Sequence, residues 1–192
     1  MRKIGVVSRQ LLFLLSYRAG LKRRIGLNRY EVPIRCTGVA TVLLKKIENE
    51  YKVLLLKRAT AVLKDVWCYI GGSIEKGEKA WESALREVKE ETGLSNITLY
   101  ASNKFDQIYS PIENYIYVAP VFVGFVKENQ IVKLNYEHSE YRWLSFSEAL
   151  EQVSLPGNDE VLMFIEKHFA LRKPPEYMRI KTEESCSTEK IY

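Results

Sequence analysis

The sequence predicts one α/β (α+β) domain, and three observations carry that reading. A chain of 192 residues with 46% hydrophobic content suits a single core better than two. Apolar, β-branched runs of strand length recur from Ile34 onward. Between and after them lie segments with helical spacing and capping signals.

Taken in order, CTGVATVLL and YKVLLLKR read as two strands joined by the polar turn KKIENE, a β-hairpin. ATAVLKDV is a loop leading to the short strand WCYI, which Gly71 and Gly72 are expected to break with a sharp turn. Next, Trp81, Ala84, Leu85 and Val88 recur as one apolar helical stripe, and Gly93 falls where a left-handed C-cap belongs. NYIYVA alternates, and PVFVGFV behind it reads as a buried strand whose Phe122 and Phe125 are packing residues. SFSEALEQV opens with an N-cap serine, and a second helix runs from Asp159 towards Phe169. Polar residues and a Pro pair make 173–192 a mobile or loosely docked tail. The division is therefore a basic segment 1–30, a domain 31–172 and the tail 173–192.

Composition narrows the chemistry. The net charge of +5 favours anionic partners without singling out nucleic acid over phosphorylated metabolites. Cys36, Cys68 and Cys186 are scattered singly, which fits free thiols in a reducing compartment, with the cytoplasm as the expected location. His138 and His168 lie too far apart for a histidine metal cluster, so any catalytic metal must be held by oxygen. The first 30 residues carry no acid before Glu31. Their apolar run, Leu11 to Leu15, is too short to span a bilayer. They read as a basic amphipathic helix packed on the domain, with an organelle presequence, a membrane-surface helix or disorder as the alternatives.

One stretch runs against the basic balance: GGSIEKGEKAWESALREVKEETGL holds Glu75, Glu78, Glu82, Glu87, Glu90 and Glu91. At about 100° per residue, Glu87, Glu90 and Glu91 share one flank of the stripe. Like charges one turn apart repel, and anions near a helix C-terminus oppose the macrodipole. A divalent cation resolves both penalties, and Mg²⁺ or Mn²⁺ suits carboxylate oxygens facing a diphosphate. The plainer alternative is a solvated charged face.

The wider pattern decides between them. Gly72, five residues, Glu78, seven residues, then Arg86-Glu87-Val88-Lys89-Glu90-Glu91-Thr92-Gly93-Leu94 resembles the Nudix box without a departure. The resemblance to the Nudix hydrolase superfamily extends over roughly 34–171, including EHSEYRWLSFSEAL after the box. It implies an α/β/α sandwich around a mixed sheet, with the box as a loop-helix-loop at one sheet end. It implies metal-dependent hydrolysis of a nucleoside diphosphate linked to another group. By that resemblance Glu87 and Glu91 are the principal metal ligands, Glu90 a further ligand or water-orienting carboxylate, and Arg86 the residue that holds a carboxylate in place. Gly72 admits close backbone approach, and Glu78 braces the loop. Glu137 stands where some family members supply an extra carboxylate, as ligand or base, the alternative being a loop glutamate bonded to backbone. Arg58 is a candidate phosphate contact. Tyr69, Phe105, Tyr109, Tyr115 and Tyr117 are available to stack on a base, though most are expected in the sheet core.

For substrate, the favoured expectation is a nucleoside triphosphate such as a purine dNTP, giving a monophosphate and pyrophosphate. The runner-up is an ADP-ribose or nucleotide-sugar pyrophosphatase, suggested by Pro111. A capped-RNA hydrolase using the basic leader and a silent nucleotide-sensing module are the other readings. The intact box acids disfavour the sensor. The oligomeric state has no sequence signal.

Overall fold

The computed structural model describes residues 31–181, so the basic segment 1–30 and residues 182–192, with Cys186, fall outside the described residues. Its strands are β1 (Ile34–Arg35), β2 (Gly38–Ile47), β3 (Glu50–Arg58), β4 (Trp67–Cys68), β5 (Ile70–Ser73), β6 (Thr98–Ser110), β7 (Tyr115–Val126) and β8 (His138–Leu144). The helices are α1 (Ala80–Thr92), α2 (Phe146–Gln152) and α3 (Asn158–Ile165), the last running on into a wider turn over Glu166–Ala170.

All eight strands join one mixed sheet. β7 lies parallel to β1 and β2, and the remaining pairings are antiparallel. The predicted hairpin is present and tighter than the polar run suggested. Ile47 pairs with Glu50, leaving a two-residue turn in which Glu48 and Asn49 both have positive φ. That geometry matches the strand twist.

The two-residue period of the strands divides the core. Val42, Leu44, Val53 and Leu55 point to the face covered by α2 and α3, where Phe146, Ala149, Leu162, Ile165 and Phe169 pack. Leu43, Leu54 and Leu56 point the other way and meet Val88 of α1, beside Val39, Ala84 and Leu99. The sheet is thus enclosed on both faces, as the α/β/α expectation required. The predicted stripe of α1 is the buried one, with two grades: Ala84 and Val88 are fully buried, while Trp81 and Leu85 are half-buried at the margin. Val88→Ala is therefore expected to cost about 2–3 kcal/mol, and Leu85→Ala less, in chemical denaturation. Equal costs at the two sites would show that the helix face is misassigned.

Gly93 closes α1 in the left-handed region at φ 68°, donating its N–H to Lys89 O at 2.9 Å. Ser145 caps α2 by accepting from Glu148 N. One expectation fails: Gly71 and Gly72 do not break the chain. They continue β5, paired with Ala40 and Val39 of β2, and the turn comes later at Gly77, φ 93°. The ladder hydrogen bonds outweigh glycine's freedom to bend. The described part of the tail is docked: Ile180 N–H donates to Leu99 O at 2.8 Å, and Met178 packs on the core.

Candidate active site at the carboxylate flank of α1

The loop after β5 and the first turns of α1 are tied together by Arg86. Its Nε donates to Glu78 Oε1 at 2.8 Å, and its Nη2 donates to Glu78 Oε2 at 3.1 Å and to Ser73 O at 2.8 Å. Its Nη1 reaches Glu87 Oε1 at 2.9 Å and Glu90 Oε2 at 3.3 Å. One planar fork therefore links β5, the loop and the acidic flank. Glu78 also accepts from Ser83 Oγ and from Glu75 N. Those bonds, with Arg86 foremost, pull its pKa down to about 2. Glu78 braces the loop, as expected. The helix N-terminus is answered by Glu82, which accepts from Lys79 N–H at 2.8 Å, so Glu82 is only half-buried rather than freely solvated.

The three box acids differ sharply in setting. The Glu90 side chain is 56% exposed, that of Glu87 14% and that of Glu91 5%. Burial first raises the pKa of Glu87, with Arg86 opposing. Burial, then the charges of Glu87 and Glu137, push that of Glu91 well above the ordinary range. Among the described residues Glu91 Oε2 has no hydrogen-bond partner. Across β5, the backbone of Gly72 lies against Glu87. A Cβ there would stand 1.9 Å from Glu87 Cδ.

The loop before β8 closes over the C-terminus of α1. Lys133 N–H donates to Thr92 O at 2.8 Å and Asn135 N–H to Glu91 O at 3.3 Å. Asn135 Oδ1 then accepts from Glu137 N–H at 3.0 Å and meets His138 Nδ1 at 3.3 Å. This loop brings Glu137 close enough to raise the pKa of both Glu87 and Glu91. His138 is buried, its Nε2 3.8 Å from Glu91 Oε2, and desolvation drops its pKa to about 4, so it is neutral at pH 7. Sequence reasoning missed Asn135. Its bonds to Glu137 and His138 form a local Asx-type turn that an Asn at this position could have signalled, whereas its bond to Glu91 O spans 44 positions and leaves no local pattern.

Arg58, the candidate phosphate contact, is a buried strand end. It is 5% exposed, its Nε donates to Val62 O and its Nη2 to Thr60 Oγ1, and its charge favours ionised Glu91. Lys57 pairs with Asp65 at 3.2 Å. Arg58 also lines a cavity of about 630 Å³, whose lining includes Ser73, the residue whose carbonyl accepts from Arg86. Of the aromatics considered for stacking, Tyr69, Phe105, Tyr115 and Tyr117 line this cavity. Tyr69 and Tyr115 are buried in its wall, whereas Phe105 is 46% exposed at its mouth. Tyr109 and Pro111 are exposed and lie outside the lining.

The donor set fits a hard divalent ion: carboxylate oxygens only, one of them buried and unpartnered. Among the described residues no three acidic, His or Cys side chains converge on one point as they stand. Among the described residues no helix is long and apolar enough to cross a membrane.

Comparison with known proteins bears on the family and the fold. The model of the NUDIX domain matches residues 37–163. A nucleoside triphosphatase NudI of Escherichia coli O139:H28 is 30% identical over 115 residues, covering 54% of this chain and 80% of that protein. A Listeria monocytogenes protein assigned as a NUDIX hydrolase superposes with a TM-score of 0.60 at 26% identity, covering 68% of this chain and 92% of that one. The E. coli dihydroneopterin triphosphate pyrophosphohydrolase shares the fold, with a TM-score of 0.57 at 24% identity and coverages of 73% and 99%. The family model spans well over half of the chain, and the chain belongs to the Nudix hydrolase family.

Proposed function

We propose that this Nudix hydrolase cleaves a nucleoside triphosphate to a nucleoside monophosphate and pyrophosphate, using Mg²⁺ or, in its place, Mn²⁺. The observation that carries the reading is Glu91: a buried carboxylate with an unpartnered oxygen, beside Glu87 and Glu137, is costly unless it binds a cation. Nudix hydrolases generally use divalent metal ions. Here Glu87, Glu90 and Glu91 would hold the ion, which when bound neutralises the polyphosphate and lowers the pKa of water. The relative named as a nucleoside triphosphatase supports the substrate class.

The protein's own part is positioning. Arg86 fixes Glu87 and Glu90 to β5 and the loop, so that the acidic flank keeps its shape when a triphosphate arrives. Water attacks phosphorus, the bond to the leaving pyrophosphate breaks, and a carboxylate takes the water proton. Glu137 faces the flank from the opposite loop, as a further ligand or as that acceptor. Glu137→Gln separates the two: weakened Mn²⁺ binding by equilibrium titration marks a ligand, whereas unchanged Mn²⁺ binding with a lowered kcat marks the proton acceptor. Free thiols at Cys36 and Cys68 support a reducing compartment such as the cytoplasm.

The test is a substrate panel with Mg²⁺, read by product mass: dNTPs, ADP-ribose, nucleotide sugars, dinucleoside polyphosphates, dihydroneopterin triphosphate and capped RNA. Monophosphate and pyrophosphate from dNTPs, with the highest kcat/KM of the panel, support the reading. A preference for ADP-ribose or capped RNA overturns it, as does nucleotide binding without turnover.

A further inference from the structure

Exposed apolar side chains gather at one end of the sheet, among residues that the phosphate chemistry does not use. The β6–β7 ladder runs on to Ser110 and Tyr115, past Val121, the last β7 residue in that direction to pair with β2, so this end projects with β1 alongside. Ile34 of β1 and Tyr109 of β6 both pair with Ile116 of β7, which sets the three side chains in one row on the same face. Ile34 is 68% exposed, Tyr109 53% and Ile112, in the turn between the strands, 84%. Ile108 and Val32, next to them in the chain, are exposed as well. Scattered exposed aliphatics are ordinary, but a contiguous group at a projecting turn marks an interaction surface.

The described residues begin at this same end. Pro33 O accepts from Ile116 N–H at 2.9 Å, which fixes the junction with residues 1–30 beside the apolar row. Those 30 residues hold eight of the chain's 29 Lys and Arg and none of its 24 Asp and Glu, so the remainder, with 21 basic residues, is slightly acidic. All of the net positive charge therefore lies in the segment that joins the apolar end. Glu113, the acid of the turn, is paired with Arg35 at 3.3 Å, so it opposes an approaching anionic surface little.

An apolar end with a strongly basic segment attached calls for a partner that is apolar and anionic at once. A second copy would set eight further cations against the first eight, and packing of 1–30 on its own domain would set them beside the already paired Glu113. Exposed aliphatics offer a nucleic acid no stacking surface. A bilayer with anionic headgroups supplies both needs: hydrocarbon for the isoleucines, an interfacial level for Tyr109, and phosphate for Lys and Arg. We propose that residues 1–30 and the apolar end formed by β1 and the β6–β7 turn together bind an anionic phospholipid surface, each signal being too weak alone for stable attachment. Binding of this kind does not depend on which nucleotide is cleaved.

Co-sedimentation of the whole chain with vesicles tests it. Vesicles of phosphatidylcholine and phosphatidylglycerol in equal parts should bind about tenfold more protein than phosphatidylcholine alone. Raising NaCl from about 0.1 M to about 1 M should remove most of that excess, because the screening length falls from about 10 Å to about 3 Å. Ile112→Asp, at an exposed turn position, should lower binding to the anionic vesicles by about tenfold, with turnover and melting temperature unchanged. Lys22→Gln, Arg23→Gln and Arg24→Gln together should reduce the preference for phosphatidylglycerol several-fold. Ile112→Trp should show a blue shift of fluorescence emission on addition of the anionic vesicles, which marks insertion of the turn. Equal or absent binding to the two kinds of vesicle overturns the inference. Binding that Ile112→Asp leaves unchanged also overturns it, since the basic segment would then act alone. A dimer in sedimentation velocity that Ile112→Asp dissociates, or an RNA oligonucleotide bound where vesicles are not, assigns this end to those partners and overturns it too.

Discussion

Glu91→Gln is expected to lower kcat by about 100-fold or more while the protein stays folded. A metal-held carboxylate contributes several kcal/mol of charge stabilisation in the transition state, and each 1.36 kcal/mol is a factor of ten. The amide keeps the volume and loses the charge. Stability should respond in the opposite direction from activity. Because the Glu91 carboxyl is buried, unpartnered at Oε2 and raised in pKa, its ionisation opposes folding when no divalent ion is bound. The folded-state pKa lies above the unfolded one, so the stability linked to this group is fully present below pH 4.5 and is lost as pH rises through the raised value. Urea denaturation in EDTA between pH 5 and 8 should therefore show a downward slope for the unaltered protein and a shallower one for Glu91→Gln. Identical slopes with near-normal kcat would remove Glu91 from the site.

Gly72→Ala should also abolish most activity, for a geometric reason. The added Cβ would lie 1.9 Å from Glu87 Cδ and 2.0 Å from Oε1, closer than any real contact. The φ of Gly72 is not positive, so the backbone accepts alanine and it is the Glu87 side chain, which supplies the three nearest atoms, that must move. Its bond to Arg86 Nη1 goes with it. We expect kcat to fall by an order of magnitude or more, as small displacements of a positioned group do, with a modest change in melting temperature. Mn²⁺ titration adds a second readout, since a displaced Glu87 should weaken the ion's binding. A variant that binds Mn²⁺ and turns over normally would show that Glu87 is not needed where it stands.

Particular residues show where sequence reading sufficed and where it stopped. Val88 and Gly93 were legible because helix periodicity and a left-handed cap are local properties. Arg86 was expected to hold one carboxylate, and its contacts extend to three acids and a strand carbonyl. Gly71 and Gly72 were misread as a turn because nothing in the tetrapeptide announces its pairing with Val39 and Ala40. Arg58 is a candidate phosphate contact by sequence, and nothing local announces that the 59–66 loop folds back and buries it: Arg58 N–H donates to Val66 O at 3.0 Å and Asp65 N–H to Arg58 O at 2.9 Å.

The sequence alone determined the β2–β3 hairpin, β7, the stripe of α1, the spacing of its acids and the family resemblance, since each depends on residues near one another in the chain, whereas β6 and β8 carried no reading as strands. Tertiary structure alone decided that Glu91 is buried while Glu90 is open, that the Asn135 loop carries Glu137 to the helix end, and that Tyr69, Asp106 and Asn158 meet. Those outcomes depend on which strands pair and which loop docks on the helix terminus, and such long-range choices are fixed by the packing of the whole sheet rather than by any local pattern.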